Sequence, residues 1–592
     1  MTVSDYIFNF LTSKGVDTVF MITGGQAMFL NDAVFRNKKI DFICNHHEQA
    51  LGMSADAYGR ITGKLGVGLV TAGPAAINVL NGVVGGWVDS SPMMIISGQS
   101  ALSYVQYQQK TKIRQYGIQG INIKPIVEKI TKYFVTVDNP SLIQYYMQKA
   151  YYLALSGRPG PVWIEVPLDI QRMEVPKKLL KEFIPEDSNE ITSNLIVNVK
   201  KALELLSKSK RPILFAGQGI RLANAFEEFN KTVKKLQIPV ITSRLGIDLI
   251  DSENKLYVGR PGTYGERAAH FAIQNSDLLL VVGSRLSNST VGHNSKEFGK
   301  NAKKIVVDID IEELEKPSVD IFLKINSDVK LFLTAFLKQA KSYKLSNYKN
   351  WIERCNYWKS KYPVVLPEYK KEKPINSYYF TGELSKMASA KDVVLVDTGS
   401  CFHVACQTWK IKKNQRFLTT GGISSMGYWA AGIGACLANN RENTIVITGD
   451  GSLQFNIQEF ATIKHNNLPI KVFIFNNNGY LLIRHTQRNF MDGRLMGESA
   501  KNGVWCPDSL KIATAYGIKG VRINSIDEID KKVKEVLEYN GPVICDIMTP
   551  EWQLLIPRTA SDKRPDGTLV AKPYEDMFPF LNRKELASAN HP

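Results

Sequence analysis

Asp450 and Asn477 lie one strand–helix–strand unit apart, and each follows a short run of apolar, β-branched residues. Thr444-Ile-Val-Ile-Thr448 runs into Gly449-Asp450-Gly451-Ser452, and Lys471-Val-Phe-Ile-Phe475 runs into Asn476-Asn477-Asn478-Gly479. Between them Ile457, Phe460, Ala461 and Ile463 mark the apolar face of a helix. A right-handed βαβ crossing puts both strand ends at the carboxyl edge of one sheet, where open α/β sheets bind ligands. A carboxylate and an amide oxygen suit a hard cation such as Mg²⁺, which completes its octahedron with water and phosphate oxygens. Gly449 and Gly451 let backbone approach a diphosphate at the start of the following helix. The chemistry this spacing predicts is metal-anchored diphosphate binding.

A second acid, Glu48, sits in His46-His47-Glu48-Gln49-Ala50, where a strand ends and Leu51, Ala55 and Tyr58 begin a helical repeat. By itself it is a first-turn acid favoured by the helix dipole.

The elements that must carry these residues come in three blocks with one grammar. Short apolar runs end in Gly or small polar residues and give way to helical periodicity, the pattern of parallel sheets covered on both faces. The first block, 1–185, has strand-like runs at Thr18–Thr23, Asp41–Cys44, Val67–Val70, Met93–Ser97 and Gly160–Pro167. The second, 190–345, has them at Pro212–Ala216, Pro239–Thr242, Leu278–Gly283 and Lys304–Asp308. The third, 375–550, has them at Val393–Asp397, Thr444–Thr448, Lys471–Phe475 and Pro542–Asp546. A Lys- and Tyr-rich linker is expected at 346–374 and a Pro-rich tail at 551–592. The fold class is α/β, with three doubly wound domains and a similar fold in the first and third.

Composition agrees: 592 residues, 44% hydrophobic and 22% charged, describe a globular chain of about three or four domains. No uninterrupted apolar stretch predicts a spanning helix, and Met1-Thr-Val-Ser-Asp-Tyr6 does not open a secretory signal, so no membrane partner is expected. Seven cysteines, odd in number and without a CxxC pair, read as reduced residues of a cytoplasmic protein. The net charge of +18 raises nucleic-acid binding. No nucleic-acid signature accompanies it, and the lysines concentrate between Lys330 and Lys373, away from the candidate site, so a solvated basic surface is the better reading.

From Gly449-Asp450-Gly451 through Asn476-Asn477, the sequence resembles thiamine-diphosphate-dependent enzymes, and is similar to their acetolactate-synthase-like branch. The similarity spans nearly the whole chain, in the family's order of pyrimidine-binding, central nucleotide-binding-like and diphosphate-binding domains. It implies that Asp450, Asn477 and the backbone of Gly479 hold Mg²⁺, with Gly449, Gly451 and Ser452 beside the cofactor diphosphate. Gly24-Gly25-Gln26-Ala27 and Thr71-Ala-Gly-Pro-Ala-Ala-Ile-Asn78 flank Glu48 as in the family's pyrimidine-binding domain, which places Gly24, Gly25 and Asn78 at the cofactor. Glu48 then matches the glutamate at the aminopyrimidine. A protonated carboxyl there promotes the imino tautomer that draws the proton from the thiazolium carbon. Met426 matches the apolar residue that props the cofactor into its bent form. Gly399 and Ser400 stand where a Gly-Gln pair contacts the diphosphate, although Ser400 and Cys401 depart from the usual Gln-His. Gln119 matches the second member of a Phe-Gln active-site pair, with Ile118 in place of the ring.

The resemblance implies a 2-keto acid decarboxylating carboligase with pyruvate as two-carbon donor. The loop from Gln99 to Tyr107 lacks the His-His pair of aldehyde-releasing relatives, which favours carboligation over simple decarboxylation. Thr486 stands where acetolactate synthases carry an acceptor-selecting tryptophan, so a different carbonyl, such as a nucleotide-linked keto-sugar, stays open, with Arg484, His485 and Arg114 placed to meet an anionic substrate. Arg158, Gly217, Gly219, Gly283, Arg285 and Asp308 match positions at which acetolactate synthases bind FAD, and the resemblance leaves open whether this chain does. It also implies a homodimer or homotetramer with the active site between subunits.

Overall fold

The computed structural model describes residues 1–176, 181–185, 190–566 and 568–590, so the junction expected at 186–189 lies outside the described residues. Three six-stranded parallel sheets form in succession. The first holds β1 (Thr18–Met21), β2 (Asp41–Cys44), β3 (Gly66–Val70), β4 (Met93–Gln99), β5 (Tyr133–Thr136) and β6 (Pro161–Pro167) in the order β2-β1-β3-β4-β6-β5. The second holds β7 (Pro212–Ala216), β8 (Val240–Thr242), β9 (Tyr257–Gly259), β10 (Leu278–Val282), β11 (Lys303–Asp308) and β12 (Leu323–Asn326) in the order β12-β11-β10-β7-β8-β9. That is the strand order of dinucleotide-binding folds. The third holds β13 (Val393–Val396), β14 (Phe417–Thr419), β15 (Thr444–Gly449), β16 (Ile470–Asn476), β17 (Lys519–Ile523) and β18 (Val543–Met548) in the order β14-β13-β15-β16-β18-β17. The first and third sheets therefore share one topology.

Central strands such as β4, β10 and β16 are buried along both faces, which is why they read as continuous apolar runs. Helices complete the layers. Helix α1 (Glu48–Thr62) and helix α2 (Leu80–Asp89) cross closely where Gly52 meets Gly82, and a Cβ on Gly82 would lie 2.6 Å from the Gly52 backbone. In the third domain, α3 (Ser400–Thr408), α4 (Gly432–Ala438), α5 (Asp450–Leu453) and α6 (Leu481–Phe490) follow the strands that bear on the site. Helix α4 packs on α1 so tightly that a Cβ on Gly434 would lie 1.9 Å from the Ser54 carbonyl oxygen. Leu51 and Ala55 thus share one apolar cluster with Trp429 and Ile433, and the first and third domains are joined by a common core.

The segment expected as linker carries a helix, Lys349–Lys361, whose Trp351 and Trp358 bury against Phe271 of the central domain. Its three buried positions, Trp351, Cys355 and Trp358, are spaced 4 and 3 apart, an apolar seam set among lysines that hid it in the sequence. The tail also has structure. Strands β19 (Ser561–Lys563) and β20 (Leu569–Ala571) form a hairpin. Tyr574 then stacks on the buried His270 ring of the central domain at 4.0 Å. Burial pushes the His270 pKa down to about 4, so this contact is made by a neutral ring. Among the described residues no helix is long and apolar enough to cross a membrane.

Candidate cofactor and metal site

Strands β15 and β16 pair directly, with Gly449 opposite Phe475, so the turns that follow them sit side by side at the carboxyl edge. The Asp450 carboxylate accepts from the Gly479 N–H through one oxygen and from the Gly451 N–H through the other, each at 2.9 Å. Burial pushes its pKa up to about 7, against those two N–H groups. Beside it the Asn477 Oδ1 is buried without a hydrogen-bond partner. A buried amide oxygen left unpaired is costly, and a cation is one partner that would relieve it. Carboxylate plus amide oxygen is the hard-donor pair expected for Mg²⁺. The structure thus brings Asp450, Asn477 and Gly479 together as the sequence predicts, and the donor chemistry fits the metal.

Arg484 fixes this turn from behind. Its buried guanidinium pairs with Glu498, donates to the Asn477 carbonyl at 2.7 Å and the Glu551 carbonyl at 2.9 Å, and also donates to the Asn478 carbonyl. The expectation that Arg484 meets an anionic substrate is therefore corrected: its donors are spent on backbone and on Glu498. His485 is likewise engaged, with Nε2 2.8 Å from the Gln553 carbonyl oxygen, whereas Thr486 and Arg114 are exposed.

The hub of the site is a residue that sequence reasoning missed. Asp397, at the end of β13 and fully buried, accepts from the Ser452 hydroxyl (2.6 Å), the Thr448 hydroxyl (2.8 Å), the Thr398 N–H (2.8 Å) and the Tyr428 N–H (3.0 Å). Ser452 Oγ in turn accepts from the Gly427 N–H at 2.9 Å. Burial lifts the Asp397 pKa to about 6. Its bonds tie the Gly399 turn, the Asp450 turn and the Met426 loop to one point. Gly399 adopts φ 103° with open space where a Cβ would be, Ser400 starts α3, and Cys401 is buried, its thiol donating to backbone carbonyls. A charged residue closing an otherwise apolar strand was the available signal for Asp397.

The Met426 loop is held from the first domain. Gly421 and Gly422 donate to the Asp89 carboxylate at 2.8 Å each, and Ser425 donates to Asn81 at 2.7 Å, leaving Met426 half-buried. Glu48 heads α1, and its carboxylate accepts from Asn78 at 3.0 Å, so two predicted pyrimidine-side residues meet. Glu459, also missed, anchors that end of α1: it accepts from Asn45, His46 N–H and His47 N–H at 3.0, 2.8 and 2.8 Å. Gly24 lies against Thr71, with an added Cβ 2.5 Å from that side chain, while Gly25 faces open space. Gln119, at φ 59°, packs on Gly73, where a Cβ would meet the Gln119 carbonyl oxygen at 2.5 Å. No hydrogen bond or ion pair joins Glu48 to Asp450 or Asn477 among the described residues.

The loop of Gln119 hangs on a buried acid. Gln99 donates to the Ile121 carbonyl and to Glu165, both at 2.9 Å, and Thr136 donates to Glu165 at 2.8 Å.

The positions matched to FAD also converge. Arg158, Gly219, Gly283, Arg285 and Asp308 line one cavity between the first and central domains, with Gly217 just behind it. A Cβ on Gly217 would lie 2.1 Å from the Gly283 carbonyl oxygen, so the close approach of the turns that follow the paired strands β7 and β10 by itself accounts for these glycines. Arg158 is bridged to Asp310 at 2.6 Å and Glu313 at 3.1 Å. Arg244, another residue missed in the sequence, lines the same cavity with its guanidinium 4.4 Å from the centre of the Phe402 ring.

Two outcomes follow. With Mn²⁺ as a spectroscopic stand-in, Asn477→Ala and Asp450→Asn should weaken binding in electron paramagnetic resonance titrations by at least the roughly 10- to 100-fold seen for second-shell losses. Unchanged affinity would contradict the assignment. Burial raises the Glu165 pKa from 4.5 to about 7, so the folded chain keeps a proton that the unfolded chain releases in that window. Glu165 therefore contributes a fall in stability as pH rises from 4.5 to 7, of roughly 3 kcal/mol. Denaturant midpoints across this range should show the decline in the wild type and a shallower one in Glu165→Gln, where Asp450 and Asp397, also raised by burial, still contribute.

Family models in sequence order match the N-terminal TPP binding domain of thiamine pyrophosphate enzymes at residues 1–130, their central domain at 199–336 and their C-terminal TPP binding domain at 397–547. The chain is 31% identical over 577 residues to an acetolactate synthase large subunit of Cyanidium caldarium, covering 94% of each. It is 32% identical over 556 residues to a probable acetolactate synthase large subunit of Methanococcus aeolicus, covering 90% of each. It is 30% identical over 576 residues to the mitochondrial acetolactate synthase catalytic subunit of Saccharomyces cerevisiae, covering 94% of this chain and 82% of that one. With three domains matched in order over three parallel sheets, and a carboxylate–amide pair at the edge of the third, the chain belongs to the thiamine pyrophosphate enzyme family.

Proposed function

We propose that this chain is a thiamine-diphosphate- and Mg²⁺-dependent carboligase that takes pyruvate as donor and forms acetolactate with a second pyruvate. The observation that carries the reading is the buried, unpaired Asn477 Oδ1 beside the Asp450 carboxylate, on a turn clamped by Arg484. Asp450, Asn477 and the backbone at Gly479 would hold Mg²⁺, which would anchor the cofactor diphosphate. The bound cofactor supplies an electron sink that decarboxylates a 2-keto acid and keeps its two-carbon unit available for transfer. Glu48 would exchange a proton with the aminopyrimidine through its carboxyl group, which Asn78 orients. Met426 gives an apolar surface on a loop whose position Asp89, Asp397 and Ser452 fix. In the span from Gln99 to Tyr107 the Gln99 amide is committed to Ile121 and Glu165 and no histidine is present, which leaves no acid there to release aldehyde. The engagement of Arg484 and His485 withdraws two of the three basic residues expected to meet a nucleotide-linked keto-sugar, while Thr486 and Arg114 stay exposed.

FAD remains part of this proposal at the cavity lined by Arg158, Arg285 and Asp308, with no reaction step routed through it. A homodimer or larger assembly is proposed on the open face around Glu48: Asn78 is exposed, Glu48 only half-buried, and Ile77 and Ile118 are 40% and 77% exposed nearby in the same domain. An acid that must keep its proton needs a dry setting, and a second copy laid on this face supplies it.

Carbon-labelled pyruvate incubated with the chain, thiamine diphosphate and Mg²⁺ should give acetolactate by mass, and Glu48→Gln should lose at least about 100-fold in rate. Acetaldehyde as sole product, or a near-normal rate in Glu48→Gln, would overturn the reading. Sedimentation equilibrium should give a mass of at least two chains, and a monomer active at all dilutions would refute the shared site.

A further inference from the structure

A cavity of about 240 Å³ opens where the three domains meet, away from the metal turn. Its walls include Arg60 at the end of α1, Arg221 and Asp248 of the central domain, and Arg416 beside β14. Asp248 is buried and is shared by two guanidiniums: Arg416 Nε donates to one oxygen at 2.7 Å and Arg221 Nε to the other at 3.2 Å. No second carboxylate pairs with either arginine among the described residues. Two cations therefore face one anion in a partly enclosed space.

The two arginines are not equally occupied. Arg416 also donates from Nη1 to the Ile61 carbonyl at 2.7 Å and from Nη2 to the Arg60 carbonyl at 3.0 Å, so each of its three nitrogens is engaged. Arg221 adds one bond, from Nη2 to the Asp248 carbonyl at 2.9 Å, and its planar face lies 4.0 Å from the centre of the Phe226 ring. That stacking holds the fork edge-on, while Nη1 has no protein acceptor among the described residues. Burial pushes the Arg221 pKa down, Asp248 opposes this and the neighbouring Arg416 adds to it.

We propose that this junction is a binding site for a small oxyanion, a carboxylate or phosphate, gripped by the Arg221 fork with Arg416 behind it. An oxyanion accepts two parallel N–H bonds from such a fork and restores neutrality to the pocket. The cavity has room for a ligand a few times the size of water, whose share of liquid volume is about 30 Å³. The location gives the site a lever. The cavity wall includes the C-terminal end of α1, the helix that begins at Glu48, and β14, the strand that leads into the Met426 loop. An anion here braces the far ends of both elements that carry cofactor-side residues.

Equilibrium dialysis of the full chain with labelled inorganic phosphate, and separately with labelled pyruvate, tests this at 150 mM NaCl, where loose surface association is screened. Thiamine diphosphate and Mg²⁺ are present, and Glu48→Gln is the background so that pyruvate is not consumed. One equivalent of phosphate or of pyruvate per chain should be lost in Arg221→Gln, through at least tenfold weaker binding, and the arm that responds names the source of the oxyanion. Arg221→Lys keeps the charge but loses the fork, so it should also weaken binding, and it carries the test if Arg221→Gln unfolds by circular dichroism. Absence of both anions, or equal binding in the arginine variants, overturns the proposal. The readout is the difference between variants, so it stands whether or not the chain makes acetolactate.

Discussion

A carboxylate cut off from water must collect donors from whatever chain lies nearby, and four such carboxylates set the loops of this protein. Asp397 gathers two hydroxyls and two backbone N–H groups from three segments, and so fixes the turns around Gly399, Asp450 and Met426 relative to one another. Glu459 does the same for the N-terminal end of α1 from a different domain. Asp89 reaches out of the first domain to take two glycine N–H groups of the Met426 loop. Asp450 closes its own turn on Gly479. In each case the acid is the point and the loop is what bends to meet it. The α1–α4 crossing supplies the rigid floor that allows this, since Gly434 lets its backbone approach Ser54 where any side chain would hold the two apart.

Much of this frame was legible in the sequence, and the omissions follow one rule. Of the six edge strands, the sequence pattern finds β2 and misses β5, β9, β12, β14 and β17. A central strand is covered on both faces and must be apolar throughout. An edge strand such as β12, with Lys324 and Asn326 exposed, or β5, partly exposed at every position, carries no such run. Strands β9 and β14 are buried but span three residues each, too few to show a period.

The candidate site divides in the same way. Asp450 and Asn477 were legible because each follows a readable strand of one βαβ unit, where spacing fixes proximity, whereas Glu48 stood out through the resemblance of the segments that flank it. Asp397 closes a strand that was read, but its role depends on Ser452 and Tyr428, which lie 55 and 31 positions away. Arg484 was misread because its partner, Glu498, lies in an irregular stretch with no period from which a contact could be inferred. Charge type is visible in a sequence, but whether a charge is already spent is a property of the fold.

The C-terminal segment has a topological effect. The polypeptide leaves the central domain, forms the whole third domain and returns to stack Tyr574 on His270. The third domain is therefore moored to the central one at both of its ends, like a page bound along two margins. A domain held by one linker can trade places with its counterpart in a second copy at little entropic cost. Here the exchange would require the second mooring to be torn loose as well, so the third domain is held against interchange from both sides.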